Sequence, residues 1–277
     1  MAIKLMYITN RPEVANIAEN AGVDRIFVDM EYIGKEKRQG GLDTVQSHHT
    51  VEDVKKIRNC LKSAELLVRV NPIHEATEEY CSSEEEINAV VEAGADIIML
   101  PYFTKPSEVE KFINIVGGRS KTMPLLESAN AYKCIDEILD VQGIDELFIG
   151  LNDLSLDLGK KFMFELLADG TVEELCVKFR RRKIVYGFGG IAAIGTGILP
   201  AEAILKEHYR LGSTSVILSR SFCNYEAIDD LKVIEEKFNV GVRSLRSFEK
   251  EIELHSRYFE KNEEFVKKCI SEVVNKR

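Results

Sequence analysis

The chain has 277 residues, 45% hydrophobic and 30% charged with both signs mixed, a composition that excludes a disordered tail or a membrane protein and suits one large domain or two small ones. Its 37 Lys and Arg against 46 Asp and Glu leave a net charge of −9, which repels nucleic acid and anionic membranes. No apolar run reaches the roughly 18 residues of a spanning helix, and the start MAIKLMYITN has no apolar leader core, so a cytoplasmic location is expected.

The first β-rich run is Lys4 to Ile8, followed by AGVDRIFVDM from Ala21. Next come Leu66 to Val70, AGADIIML from Ala93, Thr122 to Leu126, QGIDELFIG from Gln142, Ile184 to Gly187, and LGSTSVIL from Leu211. Four of these runs open with the same device: a helix end, a glycine (Gly22, Gly94, Gly143 or Gly212), one residue, then Asp or Thr. The glycine is expected in the left-handed conformation that ends a helix and turns the chain into a strand. The runs are apolar without alternation, as in a parallel sheet covered on both faces.

Helix starts lie between them. Thr50 with Asp53 and Ser83 with Glu86 have capping-box spacing, Pro106 and Pro200 suit a first turn, and Val51, Val54, Ile57 and Leu61 form one apolar face. Arg180, Arg181, Arg182 and Lys183 form the one basic run, read as a solvated helix end. Eight βα units without a GxGxxG after the first strand predict a closed (β/α)8 TIM barrel over residues 1–223 rather than an open sheet. Beyond it, Ile234, Phe238, Val242, Leu245, Phe248 and Ile252, then Phe265, Ile270 and Val273, predict two helices in a 224–277 extension, packed on the barrel or on a neighbouring subunit. The six cysteines have no CxxC spacing and read as reduced, mostly buried thiols. The polar segment from Ile33 to His49 reads as a long loop after the second strand, a length usually kept for function.

In such a barrel, catalytic side chains come from the carboxyl ends of the strands. Those ends carry Asp29 and Glu31, Arg69 and Asn71, Glu127, Asn152 and Asp153, and Gly189 and Gly190. Glu127 and Asp153 follow consecutive strands, and carboxylates that close repel unless a cation or proton intervenes. Either a hard divalent ion such as Mg2+ or Mn2+ sits between them, or one pairs with Arg69. Arg69 has the planar fork that recognises a carboxylate, so a metal and Arg69 together suit a 2-oxo acid and the enolate formed when a bond to its C3 breaks. Gly189 and Gly190 either let backbone N–H groups approach that ligand or form a plain tight turn. No lysine falls at a predicted strand end, which favours metal chemistry over a Schiff base.

The stretches LLVRVNP, GADIIMLPYF, PLLESANAY and above all FIGLNDLSLDLG, which contains Gly150, Asn152 and Asp153, resemble the HpcH/HpaI aldolase and citrate lyase β-subunit family over roughly Lys4 to Phe222. The resemblance implies a phosphoenolpyruvate/pyruvate-type barrel, a homo-oligomer that exchanges a C-terminal helix, and a divalent metal on Glu127 and Asp153. It also implies Arg69 on the substrate carboxylate and enolate oxygen; Gly150, Asn152, Gly189 and Gly190 are the further candidate substrate contacts at these strand ends. The implied activities are aldol cleavage releasing pyruvate or a related 2-oxo acid, with an aldehyde or thioester as co-substrate, or acyl-CoA lyase chemistry.

One departure stands out. The family carries Asp-x-Glu-His after the second strand, whereas this chain has Asp29, Met30, Glu31 and Tyr32. Tyrosine is a poor base at neutral pH. His48 and His49, or His74, are the candidate replacements, with Asp29 orienting or assisting proton transfer. Lys35, Lys37 and Arg38 read as a phosphate contact for CoA or as solvated charges. The rival in another class is a barrel without catalysis that binds a metabolite.

Overall fold

In the computed structural model, which describes residues 2–35, 47, 49–254 and 258–276, eight parallel strands close into a (β/α)8 barrel in sequence order. They are β1 (Lys4–Ile8), β2 (Arg25–Asp29), β3 (Glu65–Arg69), β4 (Ile97–Leu100), β5 (Lys121–Leu126), β6 (Glu146–Ile149), β7 (Val185–Ile191) and β8 (Ser215–Leu218). Every expected strand is present. Gly22, Gly94, Gly143 and Gly212 all lie at positive φ (98°, 92°, 94° and 73°), where the sequence places the helix-to-strand reversals.

The outer ring includes α1 (Pro12–Asn20), α2 (Val51–Cys60), α3 (Ser83–Glu92), α4 (Pro106–Val116), α5 (Leu151–Asp157), α6 (Thr171–Arg181) and α7 (Ala201–Leu211). Strand period two then sorts the apolar residues into two cores. Met6, Phe27, Leu67, Met99, Met123, Leu125 and Phe148 fill the barrel interior. Leu5, Ile26, Val28, Leu66, Val68 and Ile98 face the helices, where Val54 and Ile57 of α2 meet them. Each such buried aliphatic side chain contributes about 1.5–3 kcal/mol.

The capping box of α2 forms at Thr50 and Asp53 as expected. That of α3 forms one residue earlier than the expected Ser83 and Glu86, at Ser82 and Glu85. The run SSEEE holds both registers, and tertiary contacts decide between them: the Ser83 hydroxyl meets His74 Nδ1 at 3.0 Å, and Glu86 accepts from Asn71 Nδ2 at 2.7 Å. Asn71 is thereby structural, its Oδ1 holding the backbone N–H groups of Tyr32 and Ile33. The thiols are less hidden than expected: Cys176 and Cys223 are buried, whereas Cys81 is exposed. The basic run ends α6, where Arg182 pairs with Asp140 on the surface.

The amino-terminal mouth of the barrel is closed by charge. Arg25, without exposed area, reaches from β2 across to Glu146 on β6 through two bonds of 2.8 and 2.6 Å and also bonds Glu65 at 2.8 Å. Chemistry is left to the opposite mouth.

Past the barrel, α8 (Leu231–Leu254) lies on α1, and α9 (Phe259–Val274) lies on α7 and on the short helix Glu165–Ala168. Polar ties seat both. Glu249 accepts from the backbone N–H of Ile3 at 2.8 Å, Arg246 bonds Asp24 at 2.8 Å, and Asn262 donates to Glu207 at 2.8 Å. Among the described residues no helix is long and apolar enough to cross a membrane.

Candidate active site

The carboxyl ends of the strands surround a cavity of about 340 Å3 lined by Asp29, Lys35, Arg69, Glu127 and Asp153. Gly150, Asn152, Gly189 and Gly190 line it too. Eight of these nine residues were expected at this mouth from the sequence, and Lys35 was not.

Asp29 ends β2 beside Arg69 at the end of β3, and the two are register partners. Arg69 donates from Nε and Nη2 to the two Asp29 oxygens at 2.8 and 2.7 Å, while its Nη1 lies 3.2 Å from Glu31. The guanidinium thus faces the cavity but grips two of the chain's own carboxylates. Burial pushes the Asp29 pKa up, but Arg69 and then Lys35 outweigh it and hold the carboxyl well below its ordinary range. For Arg69, burial works against the charge and the neighbouring carboxylates overcome it, Asp29 foremost, so it is a permanent cation.

Lys35 corrects the sequence reading twice. Its side chain is only 4% exposed, so it is not a solvated loop charge. Although no lysine follows a strand directly, the chain after β2 folds back so that Nζ stands 3.0 Å from Asp29 and 3.5 Å from Glu31. The signal was present as the i,i+4 spacing of Glu31 and Lys35, but only the tertiary fold shows that the pair points inward. Lys37 and Arg38 lie outside the described residues.

Glu127 follows β5 directly, and its Oε1 accepts from the backbone N–H of Tyr102 at 3.0 Å. Tyr102, missed by the sequence reading, has a φ of 43°, a strained value for a residue with a side chain and one that aims its N–H at the carboxylate. Asp153 sits in the first turn of α5, where the helix dipole favours an anion, and its Oδ1 accepts from Asn152 Nδ2 at 3.0 Å. A methyl group on Gly150 would lie 2.7 Å from Glu127 Oε2, so this glycine makes the space that the Glu127 carboxylate occupies.

The donor chemistry of the pair is of the kind that a hard divalent cation takes. It offers carboxylate oxygens alone, both side chains are buried, and both line the cavity. Among the described residues no three His, Cys, Asp or Glu side chains cluster as a metal-binding group. A cation here would therefore rest on two carboxylates and complete its shell with water and substrate oxygens, the habit of Mg2+.

Gly189 and Gly190 lie inside β7 rather than beyond it, because the strand runs on through a register shift between Gly187 and Gly190. This is a bulge, not the tight turn considered from sequence. Gly189 has a φ of 54°, and a Cβ there would meet Leu151 at 2.6 Å. Just past the end of β8, Ser219 and Arg220 also line the cavity.

The histidine candidates divide. His48 lies outside the described residues. His49 is half-buried and is not among the cavity-lining side chains; its Nδ1 accepts the backbone N–H of Asp29 at 3.0 Å, which leaves the ring proton on Nε2. Burial lowers its pKa. His74 is held in its own loop, with Nδ1 against Pro72 O at 2.7 Å and Nε2 against Cys81 O at 2.8 Å. Tyr32, at the position of the family histidine, is 48% exposed and set edge-on to Tyr80, away from the cavity.

Comparison with known proteins agrees with this fold. The sequence profile of HpcH/HpaI aldolase/citrate lyase matches residues 4–167. No curated protein matches the chain by sequence. A family protein of that description from Burkholderia cenocepacia superposes with a TM-score of 0.62 at 15% identity, covering 84% of this chain and 95% of the other. An HpcH/HpaI aldolase from Desulfitobacterium hafniense gives 0.59 at 17% identity, covering 85% and 93%. The citrate synthase SbnG gives 0.61 at 16% identity, covering 85% and 94%. At these identities the structural likeness speaks for the fold.

Proposed function

The chain belongs to the HpcH/HpaI aldolase/citrate lyase family, and from that premise we propose a divalent-metal-dependent carbon–carbon lyase that makes or breaks a bond to C3 of pyruvate or a related 2-oxo acid. Family membership supports lyase- or aldolase-type chemistry in general. The finer reading rests on one observation: Arg69, Glu127 and Asp153 line a single cavity at the carboxyl ends of the strands.

Glu127 and Asp153 would hold a divalent cation, Mg2+ or Mn2+, which when bound would supply Lewis-acid stabilisation of developing negative charge. The chain's own residues do the rest. Arg69 presents fixed positive charge to the 2-oxo acid, and its bonds to Asp29 and Glu31 keep the guanidinium oriented before substrate arrives. Gly189 and Gly190 leave room for the ligand against β7, and Gly150 and Asn152 border it beside β6. The apolar floor of Leu125 and Phe148 limits water beneath the reacting atoms. The co-substrate is an aldehyde or a thioester, and the working unit is a homo-oligomer of barrels 1–223 with helical extensions 224–277.

The test is exchange of the pyruvate methyl protons in deuterated water, with and without Mg2+ or Mn2+. Metal-dependent exchange, lost in Glu127→Gln and Asp153→Asn, is the expected result. No exchange with pyruvate, oxaloacetate or 2-oxobutyrate would leave a metabolite-binding barrel as the better reading.

A further inference from the structure

We propose that Lys35 is the acid–base residue of this site, taking the place of the histidine that the chain lacks at Tyr32. The inference rests on the lyase reading above and adds to it the group that moves the proton.

Four observations carry it. Lys35 is nearly fully buried yet lines the cavity together with Arg69, Glu127 and Asp153. Its Nζ is fixed by Asp29 at 3.0 Å and Glu31 at 3.5 Å, so the amine is positioned before substrate binds. Arg69 independently bonds the same two carboxylates, Asp29 through both oxygens and Glu31 at 3.2 Å. Because arginine keeps its charge, Asp29 and Glu31 each retain a cation when Lys35 passes its proton on, and neither is left buried without compensation.

The fourth observation concerns the histidine and tyrosine candidates considered above, as far as the described residues go. His49 and His74 do not line the cavity, and Tyr32 is turned outward. Tyr7 does line it, but its hydroxyl donates to the Cys223 carbonyl at 2.8 Å, and burial above all pushes its pKa far up. Arginine cannot serve, because it does not give up its proton.

The step balances as follows. The ion-paired Lys35 ammonium first passes one proton to solvent water; the Nζ lone pair so freed takes a proton from C3 of the 2-oxo acid, the C3–H bonding pair becomes the C2–C3 double bond, and the carbonyl π pair moves to the C2 oxygen, facing positive charge. In the cleavage direction the ammonium gives its proton to C3 of the enolate, giving the 2-oxo acid, and the amine regains a proton from water. Water is the further reactant, and no oxidant or reductant is needed.

The experiment compares wild type, Lys35→Arg and Lys35→Ala in metal-dependent methyl exchange of pyruvate in deuterated water, with thermal unfolding to confirm that each variant is folded. Arginine keeps the positive charge and both ion pairs but not the transferable proton. Both variants are expected to lose about 10²-fold or more in exchange, and added methylamine is expected to restore part of the rate in Lys35→Ala but none in Lys35→Arg. Wild-type exchange retained in Lys35→Arg within about threefold would overturn the assignment alone, since a counter-charge would then suffice. Borohydride trapping of pyruvate on Lys35 would also overturn it, by making Nζ a nucleophile. A wild type that exchanges no 2-oxo acid would overturn the lyase reading together with this one.

Discussion

Arg69 holds Asp29 by two parallel bonds of 2.8 and 2.7 Å across neighbouring strand ends, and Glu31 and Lys35 join this pair at the carboxyl mouth of the barrel. The pairing fixes the guanidinium in the cavity wall and gives Asp29 a partner that burial alone would deny it. Lysine cannot reproduce it: it offers one compact charge where the site uses a planar fork. Arg69→Lys is expected to lower pyruvate methyl exchange by about 10²-fold, the cost of removing one oriented stabilising group, while Mg2+ affinity, measured by calorimetry, changes little.

Gly150 offers a steric test of the cation seat. A methyl group there would stand 2.7 Å from Glu127 Oε2 and 2.9 Å from its Cβ, so the carboxylate must shift. Gly150→Ala is expected to weaken Mg2+ binding by more than about tenfold, the scale seen when a ligand loses its supporting contacts, and to cost about 1–3 kcal/mol of stability from overpacking. Titration calorimetry and denaturant unfolding measure the two effects separately.

His49 touches the site through the backbone of Asp29 rather than through the cavity. It is therefore expected to act as a positioning residue. His49→Ala should reduce exchange by only a few-fold, about 1 kcal/mol for one lost hydrogen bond. His49→Asn, whose Oδ1 can accept from the same N–H, should recover most of it. A loss in His49→Ala as large as that expected for Lys35→Ala would instead make the imidazole a direct participant.

At the opposite mouth, Glu65 predicts the acid sensitivity of the fold. Burial raises its pKa, but Lys121, Lys4 and Arg25 together bring it down to about 2. A carboxyl depressed in the folded state contributes stability that is complete above its unfolded pKa of about 4.3 and is lost as pH falls through the folded value. Stability should thus decline from about pH 4.5 towards pH 2, and Glu65→Gln should flatten that decline in denaturant melts taken across the range. Active-site assays at pH 7 should be unchanged.

Much of this architecture was legible from local chemistry. The reversing glycines and unalternating apolar runs placed all eight strands, because a parallel strand covered on both faces must be apolar throughout. The cavity residues could be found by counting polar side chains at strand ends. Three things could not. The capping register of α3 depended on His74 and Asn71 claiming Ser83 and Glu86, contacts that no local rule contains. The inward turn of Lys35 depended on Asp29, Glu31 and Arg69 first meeting across two strands, so a lysine amid loop charges looked solvated. The strained backbone of Tyr102 was likewise invisible, since its φ serves a carboxylate 25 residues further on.

The ionic stopper of Arg25, Glu65 and Glu146 has a kinetic consequence. With the far end of the barrel plugged, both reactants must come and go by one door. If the proposed two-reactant lyase chemistry holds, the molecule bound nearer the floor would arrive first and depart last, so initial-rate kinetics are expected to show an ordered pattern in which the 2-oxo acid leads and its partner follows once the inner berth is filled.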